Sequence, residues 1–384
     1  MATQRNQRTK RFDGAQTVML VGSFAPSLVN FRGPLIRAIA ARGHTVIAVA
    51  PEIDASTAAS LKKLGAMSLQ LDMSNQSMNP LGLYRSVTEL RKKLRACRSD
   101  IMINYTIKPV IAGAIAGRAE GVATIVSLIT GVGYAFTGGY EPKRIVSRLA
   151  AIALYRLALR KSDWVVFQNA DDERLFRQLR LIGEEQKVGR IAGSGVDLNH
   201  FAPTPLPDRP AFLMIARLLK DKGVREFVAA AGRMKKEHPE VAVRLVGYLD
   251  FSPDCISGAE LESFREAGGE FLGKLSDVRP AIAQSSVYIL PSYREGTPRS
   301  VLEAMAMGRA IITTDAPGCR QTVDEGVNGL LVPPGDADAL LEAMNRFVRE
   351  PALAAEMGAQ SRRLAEERFD VELVNADLMA MAGL

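Results

Sequence analysis

The sequence predicts an α/β chain built as two parallel-sheet domains. Three observations carry that expectation: short apolar runs alternate with longer helical patterns, the alternation stops at a proline-rich segment, and it then restarts. In the first half, residues 17–21, 45–50, 68–71, 101–104, 124–128, 164–168 and 187–191 read as strands. Helical patterns between them cover 31–42, stopped by Gly43, then 81–97 and 110–120. Such a succession within one sheet implies right-handed crossovers and parallel strands. Residues 201–210, FAPTPLPDRP, hold four prolines and punctuate the chain as a linker would. Beyond them, 212–215, 242–246, 270–272, 287–290, 310–313 and 329–332 read as strands of a second sheet. No close sequence repeat relates the halves, so the doubling is architectural.

Composition narrows the function. At 384 residues and 47% hydrophobic content, the chain can fill two cores. No apolar run approaches the ~20 residues that span a bilayer, and the N-terminus has no apolar signal core, so a cytoplasmic protein is expected. Cys97, Cys255 and Cys319 are scattered and odd in number, which suggests neither a disulfide framework nor a cysteine metal site. The only histidines, His44, His200 and His238, form no metal-binding spacing, which argues against a zinc hydrolase or a histidine-based triad.

The net charge of +7 is unevenly placed. Residues 1–11 hold no acidic residue and no apolar period, and read as a disordered basic arm extending to residue 16. No basic stripe with interleaved aromatics suggests nucleic acid. Residues 140–161 place Ile145, Leu149, Ile152, Leu157 and Leu159 among Lys143, Arg144, Arg148, Arg156, Arg160 and Lys161. That is a basic amphipathic helix, either a core helix with a solvated cationic face or one that lies on an anionic membrane.

The most informative stretch is 294–331, REGTPRSVLEAMAMGRAIITTDAPGCRQTVDEGVNGLL. It sets Glu295 in a loop and Glu303 about two turns inside the helix that follows, on either side of a Gly-Thr-Pro turn. Acidic residues near a helix start can be simple dipole complements. Here, however, the loop follows a predicted strand at its carboxyl end, where open α/β sheets bind ligands. A helix N-terminus there suits a phosphate, and the carboxylates suit hydroxyls, as in a nucleotide sugar.

These residues resemble a known family. LPSYREGTPRSVLEAMAMGRAIITTDAPGCRQTVDEGVNGLLVPPGD is similar to the donor-site signature of the retaining glycosyltransferases of family four, and MIARLLKDKG at 214–223 is similar to their Arg/Lys diphosphate clamp. INYTIKPVIAG and SLITGVGYAFTG resemble a bacterial subgroup with PglA-type N-acetylgalactosaminyltransferases and capsule enzymes, which build sugars onto polyprenyl diphosphate. The resemblance implies the GT-B fold, two Rossmann-like domains facing across a cleft. It places an acceptor domain at 17–203, a nucleotide-sugar domain at 204–365, and a last helix within 366–384 that crosses back to the first domain.

The same resemblance assigns roles. Arg217 and Lys222 would neutralise the departing diphosphate, and Glu295 would hold donor-sugar hydroxyls. Gly296, Thr297, Pro298 and Arg299 would complete that cradle through the N–H groups from Thr297 to Arg299, and Glu303 would accept from the ribose. The backbone at Lys274 and Leu275 would read uracil, with GDP as the alternative to UDP. Gly22 and Gly33 flank a loop that would close over the reacting centre, from which Asn30 and Arg32 would face the cleft. Many members carry a histidine in the first domain where this chain has Thr106 or Lys108, and Lys108 would meet an acceptor phosphate or serve as a surface lysine.

Neither glutamate is implied as a nucleophile, and the leaving phosphate would help deprotonate the acceptor. No Asp-x-Asp signature follows a strand, so a metal-independent reaction without cofactor is expected. The implied activity is retaining transfer of a hexose or N-acetylhexosamine from a UDP-sugar to a polyprenyl-diphosphate-linked saccharide. It would occur at the inner face of the cytoplasmic membrane. The alternatives are a UDP-sugar 2-epimerase, disfavoured by the scarcity of histidine, and a non-catalytic nucleotide-sugar-binding module, prompted by the missing histidine.

Overall fold

Successive side chains of a buried strand point to opposite faces, and this decides the layering of the first sheet. In β1 (Thr17–Val21), Met19 and Val21 enter one core while Val18 and Leu20 enter the other. The computed structural model describes residues 14–72, 80–132, 142–249 and 254–384, with the side chains of 80 and 142–147 left out. The basic arm at 1–11 lies outside them. Two compact units emerge, Met1–Ser194 with Val374–Leu384, and Gly195–Leu373.

In the first unit, β1 leads through α1 (Ala25–Asn30) and α2 (Gly33–Ala41) to β2 (Thr45–Ala50), α3 (Ala55–Lys63), β3 (Ala66–Gln70) and α4 (Pro80–Cys97). Then come β4 (Ile101–Tyr105), α5 (Ile107–Ala119), β5 (Thr124–Ile129), α6 (Pro142–Leu159), β6 (Trp164–Phe167), α7 (Ala170–Gln178) and β7 (Lys187–Arg190). The parallel sheet runs β3-β2-β1-β4-β5-β6-β7. The helix expected at 31–42 is α2, and a short helix that the sequence reading did not name, α1, precedes it. Pro26 and Pro34 each occupy a first helical turn, where a missing N–H costs nothing, and the chain restarts between them. For the same reason Pro109 sits comfortably in the first turn of α5, which begins at Ile107 rather than at 110.

The second unit runs β8 (Ala211–Ile215), a 3₁₀ turn (Lys220–Lys222), α8 (Val224–Glu237), β9 (Ala242–Val246), α9 (Gly258–Glu266), β10 (Glu270–Gly273), α10 (Arg279–Ala283) and β11 (Val287–Leu290). It continues with α11 (Arg299–Ala306), β12 (Ala310–Thr314), β13 (Gly329–Val332), α12 (Ala337–Arg349) and α13 (Ala352–Arg368). Its parallel sheet has the order β10-β9-β8-β11-β12-β13. The last helix, α14 (Val371–Ala382), sends Val374, Leu378, Met379 and Ala382 into the core that covers one face of the first sheet. Gly189 makes room for it, since a Cβ there would lie 2.4 Å from the Met381 sulfur.

The proline-rich segment 201–210 is not a free linker. It belongs to the second unit, and Arg309 explains why. This arginine is fully buried and donates to the carbonyls of Thr204 (2.7 Å), Pro205 (3.1 Å), Ile282 (3.0 Å) and Ala283 (2.9 Å), and to Thr204 Oγ1 (2.8 Å). Burial pushes its pKa down to about 10, so it stays charged at neutral pH. A planar five-donor fork is the one side chain that can satisfy so many converging carbonyls.

Arg309→Met should therefore strand these carbonyls without opening a large cavity and destabilise the second unit by about 3 kcal/mol or more. Arg309→Lys should recover only part of that loss. Urea unfolding of the three proteins checks both, and an Arg309→Met midpoint equal to wild type would refute the account.

Candidate functional site

Both sheets reverse strand order once, between β1 and β4 and between β8 and β11. Loops that leave neighbouring strands in opposite directions open a crevice at such a switch point. Most of the site residues expected from sequence fall at these two places.

In the second unit the loops after β8 and β11 are bonded together. The Tyr293 N–H donates to the Asp221 carbonyl at 2.9 Å. Gly223, at φ 68°, ends the 3₁₀ turn and starts α8, and a Cβ there would lie 2.0 Å from the Pro291 carbonyl oxygen. Only glycine permits both the left-handed backbone and that approach. Lys222 is thereby aimed at Glu295, with Nζ 2.7 Å from Oε1 and both side chains largely buried. Ser292 Oγ donates to the same Oε1 at 2.9 Å, and the Glu295 N–H donates to the Pro317 carbonyl at 2.9 Å. Gly318 closes the far side, because a Cβ there would lie 2.1 Å from the Glu295 carbonyl oxygen.

The two glutamates sit at different depths, as expected, but Glu303 is about one turn inside α11 rather than two. Pro298 forces its predecessor out of helical conformation, so the helix begins only at Arg299. Pro298 also has no N–H, so the expected backbone cradle loses one of its three donors. Arg299 Nε donates to Glu303 Oε1 at 2.8 Å. The buried Tyr288 phenol donates to the Ile215 carbonyl at 3.0 Å; it is pushed up first by burial and also by the charges of Glu303 and Glu295, which both lie near it.

Across the carboxyl edge the cations are arranged in strand order. Lys274 and Leu275 follow β10, with Lys274 Nζ 5.3 Å from the ring centre of Tyr248, which follows β9. Arg217 follows β8; it is exposed, and its side chain makes no hydrogen bond or ion pair among the described residues. Burial is the largest influence on Lys222 and opposes its charge, but the Glu295 carboxylate, helped by Asp221, outweighs it and holds the ammonium above its ordinary value. For Glu303, burial dominates and raises the pKa, with Arg299 offsetting part of the rise. Burial pushes the neighbouring Cys319 thiol up to about 12, which keeps it an inert packing group.

In the first unit, Gly22 makes room for Tyr105, whose hydroxyl oxygen would lie 2.3 Å from a Cβ at that position. Tyr105 Oη and Ser27 Oγ share a hydrogen bond at 2.8 Å, and Thr106 Oγ1 donates to Ser23 Oγ at 2.8 Å. Adjacent residues at the end of β4 thus grip the loop and helix that follow β1. Thr106 holds φ 68° and ψ 157°, a region almost confined to glycine that costs a β-branched residue about 1–3 kcal/mol. Asn30, at the end of α1, is exposed. Arg32 is buried over the Tyr105 ring, 5.1 Å from its centre, where it supports the loop from beneath. Lys108 is half-buried in the first turn of α5, and burial lowers its pKa.

The sequence did not flag Tyr105, Ser23, Ser27 or the Lys222–Glu295 pair, because side chains dozens of residues apart meet only after the sheets form. The glycines that accommodate them were the available signal. Along α6, Leu149 and Leu157 are exposed beside exposed Arg148 and Arg160, whereas Tyr155, Ala158 and Leu159 are buried. Arg156 is committed to the carbonyls of Leu179 and Arg180 at 3.0 and 3.1 Å. The side chains of Lys143, Arg144 and Ile145 lie outside the described residues. Among those described, no helix is long and apolar enough to cross a membrane, and no three acidic, histidine or cysteine side chains gather as a metal group would require.

Comparison with known proteins agrees with this geometry. A family model described as glycosyl transferases group 1 matches residues 209–350, and one described as glycosyl transferase 4-like domain matches 31–191. The chain is 28% identical over 342 residues to the N,N'-diacetylbacillosaminyl-diphospho-undecaprenol alpha-1,3-N-acetylgalactosaminyltransferase of Campylobacter jejuni, covering 85% of this chain and 88% of that one. It is 25% identical to the Escherichia coli UDP-Gal:alpha-D-GlcNAc-diphosphoundecaprenol alpha-1,3-galactosyltransferase, over 70% of this chain and 71% of that one. Among solved structures, Anabaena HepE in complex with UDP and glucose superposes with a TM-score of 0.76 at 19% identity, covering 95% of this chain and 98% of that one, a likeness of fold. With a glycosyltransferase model on each sheet, and the two covering most of the residues between them, the chain belongs to the glycosyltransferases of family four and has their GT-B fold.

Proposed function

We propose that this enzyme transfers a hexose or N-acetylhexosamine, with retention, from a UDP-sugar to a saccharide on polyprenyl diphosphate. The observation that carries the donor half is the paired Lys222 and Glu295 at the β8/β11 switch point, a cation and a carboxylate held where diphosphate and sugar would meet. Support for the substrates comes from the two relatives, whose names specify undecaprenyl-diphosphate acceptors and, for one, a UDP-sugar.

In this reading the strand order lays out the ligand. Uracil lies at Lys274 and Leu275, the diphosphate at Arg217 and Lys222, and the sugar at Glu295 and the 296–299 turn, with Glu303 accepting from the ribose. The bond from the sugar anomeric carbon to the β-phosphate oxygen breaks, and its electrons leave with UDP. Arg217 and Lys222 stabilise that charge by electrostatics alone, so no metal is required. The acceptor hydroxyl bonds to the same face, and its proton passes to the departing phosphate. Asn30, Thr106 and Lys108 form the acceptor side in the first unit. Mixing the enzyme with UDP-sugars and a polyprenyl-diphosphate saccharide in EDTA should give an elongated lipid product; donor hydrolysis or isomerisation alone would overturn the reading.

The acceptor's lipid tail remains in a bilayer, which gives the α6 surface a purpose. Leu149 and Leu157 would insert while Arg148 and Arg160 meet anionic headgroups at the inner face of the cytoplasmic membrane. Arg156 is not counted, since its donors are used within the fold. The protein should float with anionic vesicles at low salt and be released as salt shortens the screening length. Reversing Arg148 and Arg160 should weaken flotation, and unchanged binding would rule out this helix.

Arg217 is exposed and unneeded for packing, so Arg217→Ala should fold normally while kcat falls about a hundredfold or more. Full turnover would remove it from the mechanism. Glu303→Ala should weaken UDP by about tenfold in calorimetric titration. Because burial raises the Glu303 pKa and the ribose needs the ionised acceptor, wild-type UDP affinity should fall on acidification from above the ordinary glutamate range. In Glu303→Ala that part of the pH dependence should vanish.

A further inference from the structure

We infer that Glu295 competes with the donor diphosphate for Lys222, so that the carboxylate expected to serve the sugar also sets how tightly the nucleotide is held. The inference rests on the donor-site reading above. Lys222 Nζ lies 2.7 Å from Glu295 Oε1, with side-chain exposures of 15% and 17%, so this contact is the near one; Asp221 Oδ2 is 4.0 Å away and largely exposed. Glu295 cannot easily swing aside. Its N–H is bonded to the Pro317 carbonyl, its Oε1 accepts from Ser292, and Gly318 packs against its carbonyl.

A diphosphate that reaches Lys222 must therefore share the ammonium with a fixed carboxylate, and the two anions repel each other across it. A neutral sugar hydroxyl beside Glu295 meets no such repulsion. The consequence is an opposition of effects in one residue: Glu295 favours the sugar and disfavours the diphosphate. Bare UDP, the product, is then held less tightly than Arg217 and Lys222 alone would hold it, which assists its release. The carboxylate also preserves the Lys222 charge against burial, consistent with the raised pKa of that ammonium.

Glu295→Gln tests this, because the amide keeps the shape and can still accept from Ser292. Calorimetric titration of the full-length variant should show UDP and inorganic pyrophosphate bound about fivefold tighter than by wild type, a size expected for a partly buried charge pair. UMP, which lacks the β-phosphate, should show little change. In a Lys222→Met background, the tightening by Glu295→Gln should shrink to the part owed to direct repulsion between the two anions. Transfer should fall despite the tighter nucleotide. Equal or weaker UDP binding in Glu295→Gln overturns the inference while leaving the donor site intact, as does tightening of undiminished size in the Lys222→Met background. If wild type and variant both fail to bind UDP, the donor-site reading falls and the inference with it.

Discussion

The proposed donor site depends on one close approach, that of the Gly223 backbone to the Pro291 carbonyl. Any side chain at 223 would sit 2.0 Å from that oxygen and would push the loop after β8 away from the loop after β11. The two loops carry the charged pair proposed for the donor, Lys222 on one and Glu295 on the other, and a separation of even an ångström would replace a 2.7 Å ion pair by water. The left-handed φ at Gly223 also decides where the 3₁₀ turn stops and α8 starts, which fixes the direction of Lys222. Backbone economy at one residue therefore sets the electrostatics of the crevice.

Burial then divides the two cations. Lys222 is enclosed and paired, so its position is determined by the fold and its charge is maintained by Glu295. Arg217 is exposed, and its side chain makes no hydrogen bond or ion pair among the described residues. An enclosed point charge and an exposed planar fork fit the clamp proposed for a diphosphate whose charge grows as the glycosidic bond breaks.

The first unit reaches a comparable result by different means. There the grip on the loop after β1 comes from neutral hydroxyls and an aromatic ring, through Tyr105 to Ser27 and Thr106 to Ser23, with Arg32 over the ring. The strained Thr106 backbone is held because both neighbours are over-determined: Tyr105 is buried in the sheet and Ile107 starts α5. Further down the chain, α14 returns to cover one face of this sheet. The first domain is consequently complete only when α14 has been made.

Much of this was legible in the sequence. Strand and helix alternation, the restart after 210, and the 294–331 motif all rest on local patterns of polarity, proline and glycine, which act over a few residues and survive without tertiary context. What the sequence misjudged also has a local cause with a non-local resolution: the prolines of 201–210 look like a linker until Arg309 binds their carbonyls. The pairing of Lys222 with Glu295, 73 residues apart, has no signature in either segment. Parallel sheets place sequence-distant strands side by side, so periodicity can name the strands, but only packing decides which two loops become neighbours.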